Sequence, residues 1–239
     1  LKAADKASIF KTFSKVFFQK RELMATFMAR WSLEYPGQSG HIHLSPYDLK
    51  TGKNLFYSKN DENNMSEQMK QFLGGMSKYM KDFLALTTPN INSYTRLVKG
   101  FWAPTAATWG VENRTCALRA ITGSEKAQRV EYRVGSADAN PYLAAAAIIS
   151  AGLLGLDEKD DLDLPVVGNA YDIQDSLPHD LQLPSSLKES TMNLKNSAVA
   201  KRALGENFVN HYIKTREWEV SENEKAITDW QLKRYFEII

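Results

Sequence analysis

Cysteine occurs once in this chain of 239 residues, at Cys116. One thiol excludes an intramolecular disulfide and suits a reducing compartment, so a cytoplasmic location is expected. The residue itself reads as a small buried apolar side chain. An excess of one charge sign is also missing: 30 Lys and Arg against 28 Asp and Glu leave a net charge of +2. That balance argues against a general nucleic-acid binder, while leaving room for a local basic cluster. The most apolar stretch, PYLAAAAIISAGLLGL from Pro141 to Leu156, falls short of the roughly 20 residues that cross a bilayer. It reads as a buried helix whose alanines and glycines admit close neighbours, and no membrane association is expected. A secretory leader is not expected either, because the chain opens on the helix-like LKAADKASIFKTFSKVFFQKRE. The missing initial methionine leads us to expect further sequence upstream of Leu1. Neither a Walker-type glycine loop nor a G-x-G-x-x-G fingerprint is present, so any nucleotide must be bound on strands. Nothing resembles a Ser-His-Asp or Cys-His elbow.

The rest is patterned as a globular protein large enough to bury a core. Ile9, Phe13, Val16 and Phe17 recur at helical spacing, with lysines opposite. LMATFMARW reads as a strand before a loop at Pro36 and Gly37, and TGK reads as a turn into NLFYS. A helix is predicted from Ser66 to Leu86 and stopped by Pro89. Three extended segments are expected between Asn92 and Val134, with GSEKAQ as the last turn. A helix starts near Asn140 with Pro141 in its first turn, and Ser186 with Glu189 offers a capping box. Helices over 199–220 and 229–239 finish the chain. Strands interrupted by long helices predict an α+β fold with a mainly antiparallel sheet.

Two strand-like segments carry the chemistry. In GHIHLS, alternation places His41, His43 and Ser45 on one face, joining two of only four histidines. In QRVEYRV the same period aligns Arg129, Glu131 and Arg133 opposite Val130, Tyr132 and Val134. Paired imidazoles alone are as often hydrogen-bonded residues as ligands, and isolated charges usually mark a solvated face. Here Arg96, Arg114 and Arg119 lie close by in sequence as well. Five arginines beside one carboxylate and two histidines would bind polyanions and a divalent cation together, which is what phosphoryl transfer requires.

The ordered set SGHIHLS, NSYTRLVKGFWAPTAATWGVENRTCALR, QRVEYRV and ANPYLAAAA resembles the catalytic domain of the glutamine synthetase family. The resemblance runs from near Ala3 to the closing ITDWQLKRYFE. It implies a funnel of curved antiparallel strands, in which ATP phosphorylates the glutamate side-chain carboxylate and an amine or ammonia then forms the γ-glutamyl amide. By motif, His41 and Glu131 would ligate Mg2+ or Mn2+, and His43 and Ser45 would lie beside ATP. Arg96 and Arg133 would grip glutamate, while Arg114, Arg119 and Arg129 would neutralise phosphates. Residues 1–239 would be the C-terminal part of that domain. Its first metal-binding strands and a smaller β-rich domain, which completes the neighbouring subunit's site in a ring-shaped homo-oligomer, would lie outside the chain.

One departure concerns the acceptor. GFWAP carries Trp102 where ammonia-using members commonly have a glutamate, and an indole has no basic site with which to take a proton from ammonium. An aromatic wall suits an alkylamine better, and in this loop the chain resembles the family's γ-glutamyl-amine ligases. The competing account makes Trp102 a packing residue with ammonia still used. Tyr171 falls where some bacterial relatives are adenylylated; it reads as structural and is assigned no function. A catalytically silent structural protein on the same fold is the alternative to an enzyme. Retention of His41, Glu131 and five arginines argues against it, because buried like charges without ligands are costly.

Overall fold

The computed structural model describes residues 1–238. Strands β1 (Ile42–Leu44), β2 (Trp109–Val111), β3 (Leu118–Ile121) and β4 (Arg129–Tyr132) form one sheet in the order β1-β4-β3-β2. β4 is antiparallel to both β1 and β3, and β2 runs parallel to β3, so two of the three pairings are antiparallel. The β3–β4 connection at 122–128 is the tight turn expected, closed by backbone N–H groups of Ala127 and Gln128 on Ser124 O. In the β2–β3 connection Glu112 takes a left-handed φ of 52°, and residues 112–117 return the chain to the start of β2 so that Leu118 pairs with Trp109.

The described residues also form ten α-helices. α1 (Lys2–Gln19) precedes β1; α2 (Glu67–Lys78), α3 (Met80–Thr87) and α4 (Ile91–Arg96) lie between β1 and β2. α5 (Pro141–Glu158), α6 (Ala170–Ile173), α7 (Leu187–Asn196), α8 (Ala198–Leu204), α9 (Glu206–Lys225) and α10 (Asp229–Tyr235) follow β4. The fold is therefore α+β with a small mixed sheet packed against helices. α5 begins as its sequence dictates: Asn140 caps the backbone N–H groups of Tyr142 and Leu143, and Pro141 occupies the first turn. Its small residues set the central packing. A Cβ on Gly75 of α2 would come within 2.5 Å of Gly155 Cα on α5, so the two backbones touch where only glycine fits.

The apolar face of β4 is buried as expected. Val130, Tyr132 and Val134 join Leu118, Ala120, Met69, Phe72, Leu73 and Met76 in the main core. A second core links α3, α5, α7 and α9 through Phe83, Leu86, Ala147, Ala151, Leu194, Val209 and Ile213.

Several sequence expectations need correction. LMATFMARW is irregular, because its polar groups are satisfied by side chains and loops: Arg30 and Asn92 exchange two hydrogen bonds, and Gln38 N–H donates to Ala29 O. NLFYS contributes only isolated bridges, Tyr47 with Asn54 and Tyr57 with Met65. The three extended segments expected between Asn92 and Val134 are present as β2, β3 and β4, with the helix α4 at the start of that stretch. The helix expected over 66–86 breaks at Tyr79, and the one over 199–220 breaks at Gly205, whose φ of 87° no side-chain-bearing residue adopts easily. Ser186 caps Glu189 N–H, but the Glu189 carboxylate accepts from Ser185 rather than closing the box. The apolar side of α1 is not buried: Ile9, Phe10 and Phe13 are each more than 60% exposed. The final helix ends at Tyr235, and Ile239 lies outside the described residues.

Candidate active site

β4 is the centre of the site. Its register with β1 sets His43 opposite Glu131, and its register with β3 sets Arg119 opposite the same residue. Strands β1 and β3 thus bring an imidazole and a guanidinium to one carboxylate on β4. Glu131 is only 3% exposed. Its Oε1 accepts from Arg133 Nη1 at 2.7 Å and lies 2.9 Å from His41 Nδ1, and its Oε2 accepts from Arg119 Nη1 at 3.2 Å. His43 Nε2 stands 3.9 Å from Oε1. Arg129 Nε donates to His43 Nδ1 at 3.2 Å, while its Nη1 holds Ala127 O at 2.8 Å.

Electrostatics fix the protonation states. Burial alone raises the Glu131 pKa, but Arg133, His41 and Arg119 outweigh it and bring the carboxyl below the ordinary range. His41 moves down to about 4, mainly through burial and the neighbouring Arg133, although Glu131 pulls the other way. His43 is lowered in the same way, by burial first. The His41–Glu131 contact therefore sets a neutral imidazole beside a carboxylate. With Nδ1 carrying the proton, Nε2 keeps its lone pair, and that atom is buried without a protein partner.

This arrangement fits a metal ligand: a carboxylate orients the imidazole through one nitrogen and leaves the other bare. Among the described residues no group of three His, Cys, Asp or Glu side chains is placed to hold an ion. The residues present therefore supply one nitrogen ligand, His41 Nε2, while Glu131 faces the opposite ring nitrogen and its oxygens meet Arg133 and Arg119.

The remaining arginines divide between two places. Arg96, 3% exposed, donates through Nη1 to Val134 O at 2.8 Å and through Nη2 to Arg133 O at 3.1 Å. Its five N–H donors leave three beyond those two bonds. Gly37 is required here, since a Cβ would meet Arg96 Cγ at 2.8 Å. Arg114 and Trp102 instead line an adjoining cleft of about 580 Å³ with Glu112, Val111, Asn113 and Asn63. Glu112 joins the cleft to the sheet, because its Oε2 accepts from Arg119 Nε at 3.1 Å and also pairs with Arg119 Nη2. Trp102 is 66% exposed and sits at φ 58°, a left-handed conformation unusual for so bulky a residue. It is no core residue of this chain.

Ser45 does not point at the charged cluster. Its hydroxyl donates to Gln128 O at 2.9 Å and accepts from Asn54 Nδ2 at 3.1 Å. Buried Asn54, which sequence reading overlooked, also donates to Gln128 O and Glu125 O at 2.8 Å each, pinning the β3–β4 turn beside β1. Arg30 was overlooked too. It ties Ser32, Leu33, Tyr35 and Thr95 carbonyls together and lies 4.8 Å from the Phe101 ring centroid, bracing the loop that carries Trp102. Cys116 is fully buried, and burial pushes its thiol up to about 11, so it is an inert packing residue.

Comparison with known proteins places this geometry. The family model "Glutamine synthetase, catalytic domain" matches residues 1–235. "Type-1 glutamine synthetase 2" of Dictyostelium discoideum is 46% identical over 240 residues, covering 100% of this chain and 46% of that protein. "Glutamate--isopropylamine ligase" of a Pseudomonas species is 38% identical, covering 100% of this chain and 51% of that protein. A solved structure titled "Apo GmaS without ligand" superimposes with a TM-score of 0.88 at 30% identity, covering 98% of this chain and 53% of that one. The chain spans about half the length of the curated relatives it matches.

Proposed function

We propose, from the premise that this chain belongs to the glutamine synthetase family, that its protein is an ATP-dependent ligase joining glutamate to an organic amine. The observation that carries the reading is Glu131, held by Arg119, Arg133 and His41 on one sheet face with the His41 Nε2 lone pair left free. In this reading the γ-phosphoryl group of ATP passes to the glutamate side-chain carboxylate. An amine then attacks the acyl carbon and phosphate departs, leaving the amide.

His41 would hold a divalent cation, Mg2+ or Mn2+, with Glu131 joining it once its carboxylate turns from His41 Nδ1 to the ion, and the cation when bound would neutralise phosphate charge. Arg114, Arg119 and Arg129 would balance the charge that develops on the transferring group. Arg133, with an unpaired buried Nε, and Arg96, with three remaining donors, would grip carboxylate oxygens of glutamate. His43 and Ser45 would stand at the ATP end, Ser45 through the turn it fastens. Relatives of this chain include both a named glutamine synthetase and a named glutamate–isopropylamine ligase, so family membership alone leaves the acceptor open.

Trp102 favours the organic amine. Its exposed indole walls the cleft beside Glu112, offering a hydrophobic and cation-attracting surface but no proton acceptor. Residues missing from this half would complete the site, most simply in a cytoplasmic ring-shaped homo-oligomer. The test is turnover of the full-length protein with ammonia, methylamine and a short diamine at equal concentrations of the free base. The organic amines are expected to outpace ammonia in kcat/KM by at least about tenfold. Ammonia as clearly the best acceptor overturns the assignment.

A further inference from the structure

Around the arginine pair three buried polar atoms lack a protein partner: Arg133 Nε, His41 Nε2 and the hydroxyl of Tyr171. The first two belong to the site described above. Tyr171 stands on α6, a single turn carried by the loop that closes the Trp102 cleft.

That loop is fastened to the β2–β3 connection from several sides. Asn113 Nδ2 donates to Val166 O at 3.0 Å and to Gly168 O at 2.8 Å. Ala170 N–H donates to Thr115 Oγ1 at 2.8 Å, and Tyr171 N–H donates to Asn169 Oδ1 at 3.2 Å. The phenol is thus held in place by its backbone, while its hydroxyl is shut away from water and bonded to nothing. Burial raises its pKa, while the guanidinium groups of Arg133 and Arg96 act on it in the opposite direction. It is a neutral donor beside cationic ones.

Leaving a hydroxyl buried and unbonded is costly, and a fold keeps one where a ligand supplies the missing partner. The group required must accept from both a phenol O–H and a guanidinium N–H, which describes a carboxylate or a phosphate. We infer, resting on the function proposed above, that Tyr171 is a specificity-determining residue whose hydroxyl donates to the glutamate carboxylate bound by Arg133. The tyrosine would thereby help distinguish glutamate from amino acids whose shorter side chains fail to bring a carboxylate between the two donors.

The test is Tyr171→Phe in the full-length protein, which removes one oxygen and leaves the ring. The KM for glutamate is expected to rise by about tenfold, the worth of a hydrogen bond to a charged group, with the KM for ATP changing less than about twofold. Without ligands the melting temperature should stay level or rise, because an unbonded buried hydroxyl has gone. An unchanged glutamate KM overturns the inference, as does an equal or larger rise in the KM for ATP, which would assign the hydroxyl to a phosphate. A lower melting temperature without ligands also overturns it by making the role structural. Wild-type protein with no glutamate- and ATP-dependent turnover overturns the proposed function together with this inference; turnover with an unaffected variant overturns this inference alone.

Discussion

Replacing Glu131 by glutamine keeps the shape of the side chain and removes its charge. In the native site that charge faces Arg133 Nη1 at 2.7 Å and Arg119 Nη1 at 3.2 Å, with side chains 6% and 14% exposed. Taking one partner out of a buried pair costs about 3–5 kcal/mol, because the other charge stays buried without compensation. Glutamine keeps one carbonyl oxygen to accept from a guanidinium, so the low end, about 3 kcal/mol, is expected. For a chain of this size that lowers the melting temperature by about 6–12 °C. Denaturant unfolding of wild type, Glu131→Gln, Arg133→Met and the double variant gives the coupling directly. The double variant should recover part of the loss, since the stranded cation is gone as well. Glu131→Gln at or above wild-type stability would refute the claim that this carboxylate neutralises the face.

Further consequences are open to measurement. His41 has a folded pKa of about 4 against an ordinary 6.5, so its neutral form stabilises the fold above pH 6.5. That contribution is lost as pH falls from 6.5 to about 4, and His41→Gln should flatten the stability profile in that window; an unaltered slope would contradict the assigned protonation. Glu131 is also depressed, so its contribution is lost as pH falls further, below its unfolded value of about 4.3. Gly75→Ala should lose at least about 1–3 kcal/mol by denaturant midpoint, since the added Cβ meets Gly155 backbone. Asn54→Ala, which strands Gln128 and Glu125 carbonyls, should cost about 1–3 kcal/mol.

The charged face was legible because a strand has a period of two, and alternation in QRVEYRV separates the core residues from the site without any tertiary information. The same rule gave His41 and His43. What alternation could not show is which partners these groups find. Ser45 continues the pattern of the two histidines, yet it bonds to the turn at Gln128, because β1 ends at Leu44 and the register is lost beyond it. Asn54 and Arg30 lie in segments without period, and their importance comes from contacts with residues far along the chain, 71 and 74 positions for Asn54. LMATFMARW misled for a related reason: apolar residues drew it as a strand, although among the described residues no strand pairs with it. The spacing of apolar residues in α1 identified a helix correctly but said nothing of what covers its face.

The most direct measurement follows the oxygen atoms of glutamate. In the proposed reaction a side-chain carboxylate oxygen becomes the bridge to phosphorus and leaves with the phosphate. Incubating full-length protein with ATP, a divalent cation, methylamine and glutamate labelled with 18O in its side-chain carboxylate should yield one labelled oxygen per phosphate released, in step with the amide. Phosphate released without label, or amide formed without ADP, would contradict phosphorylation of that carboxylate at this site.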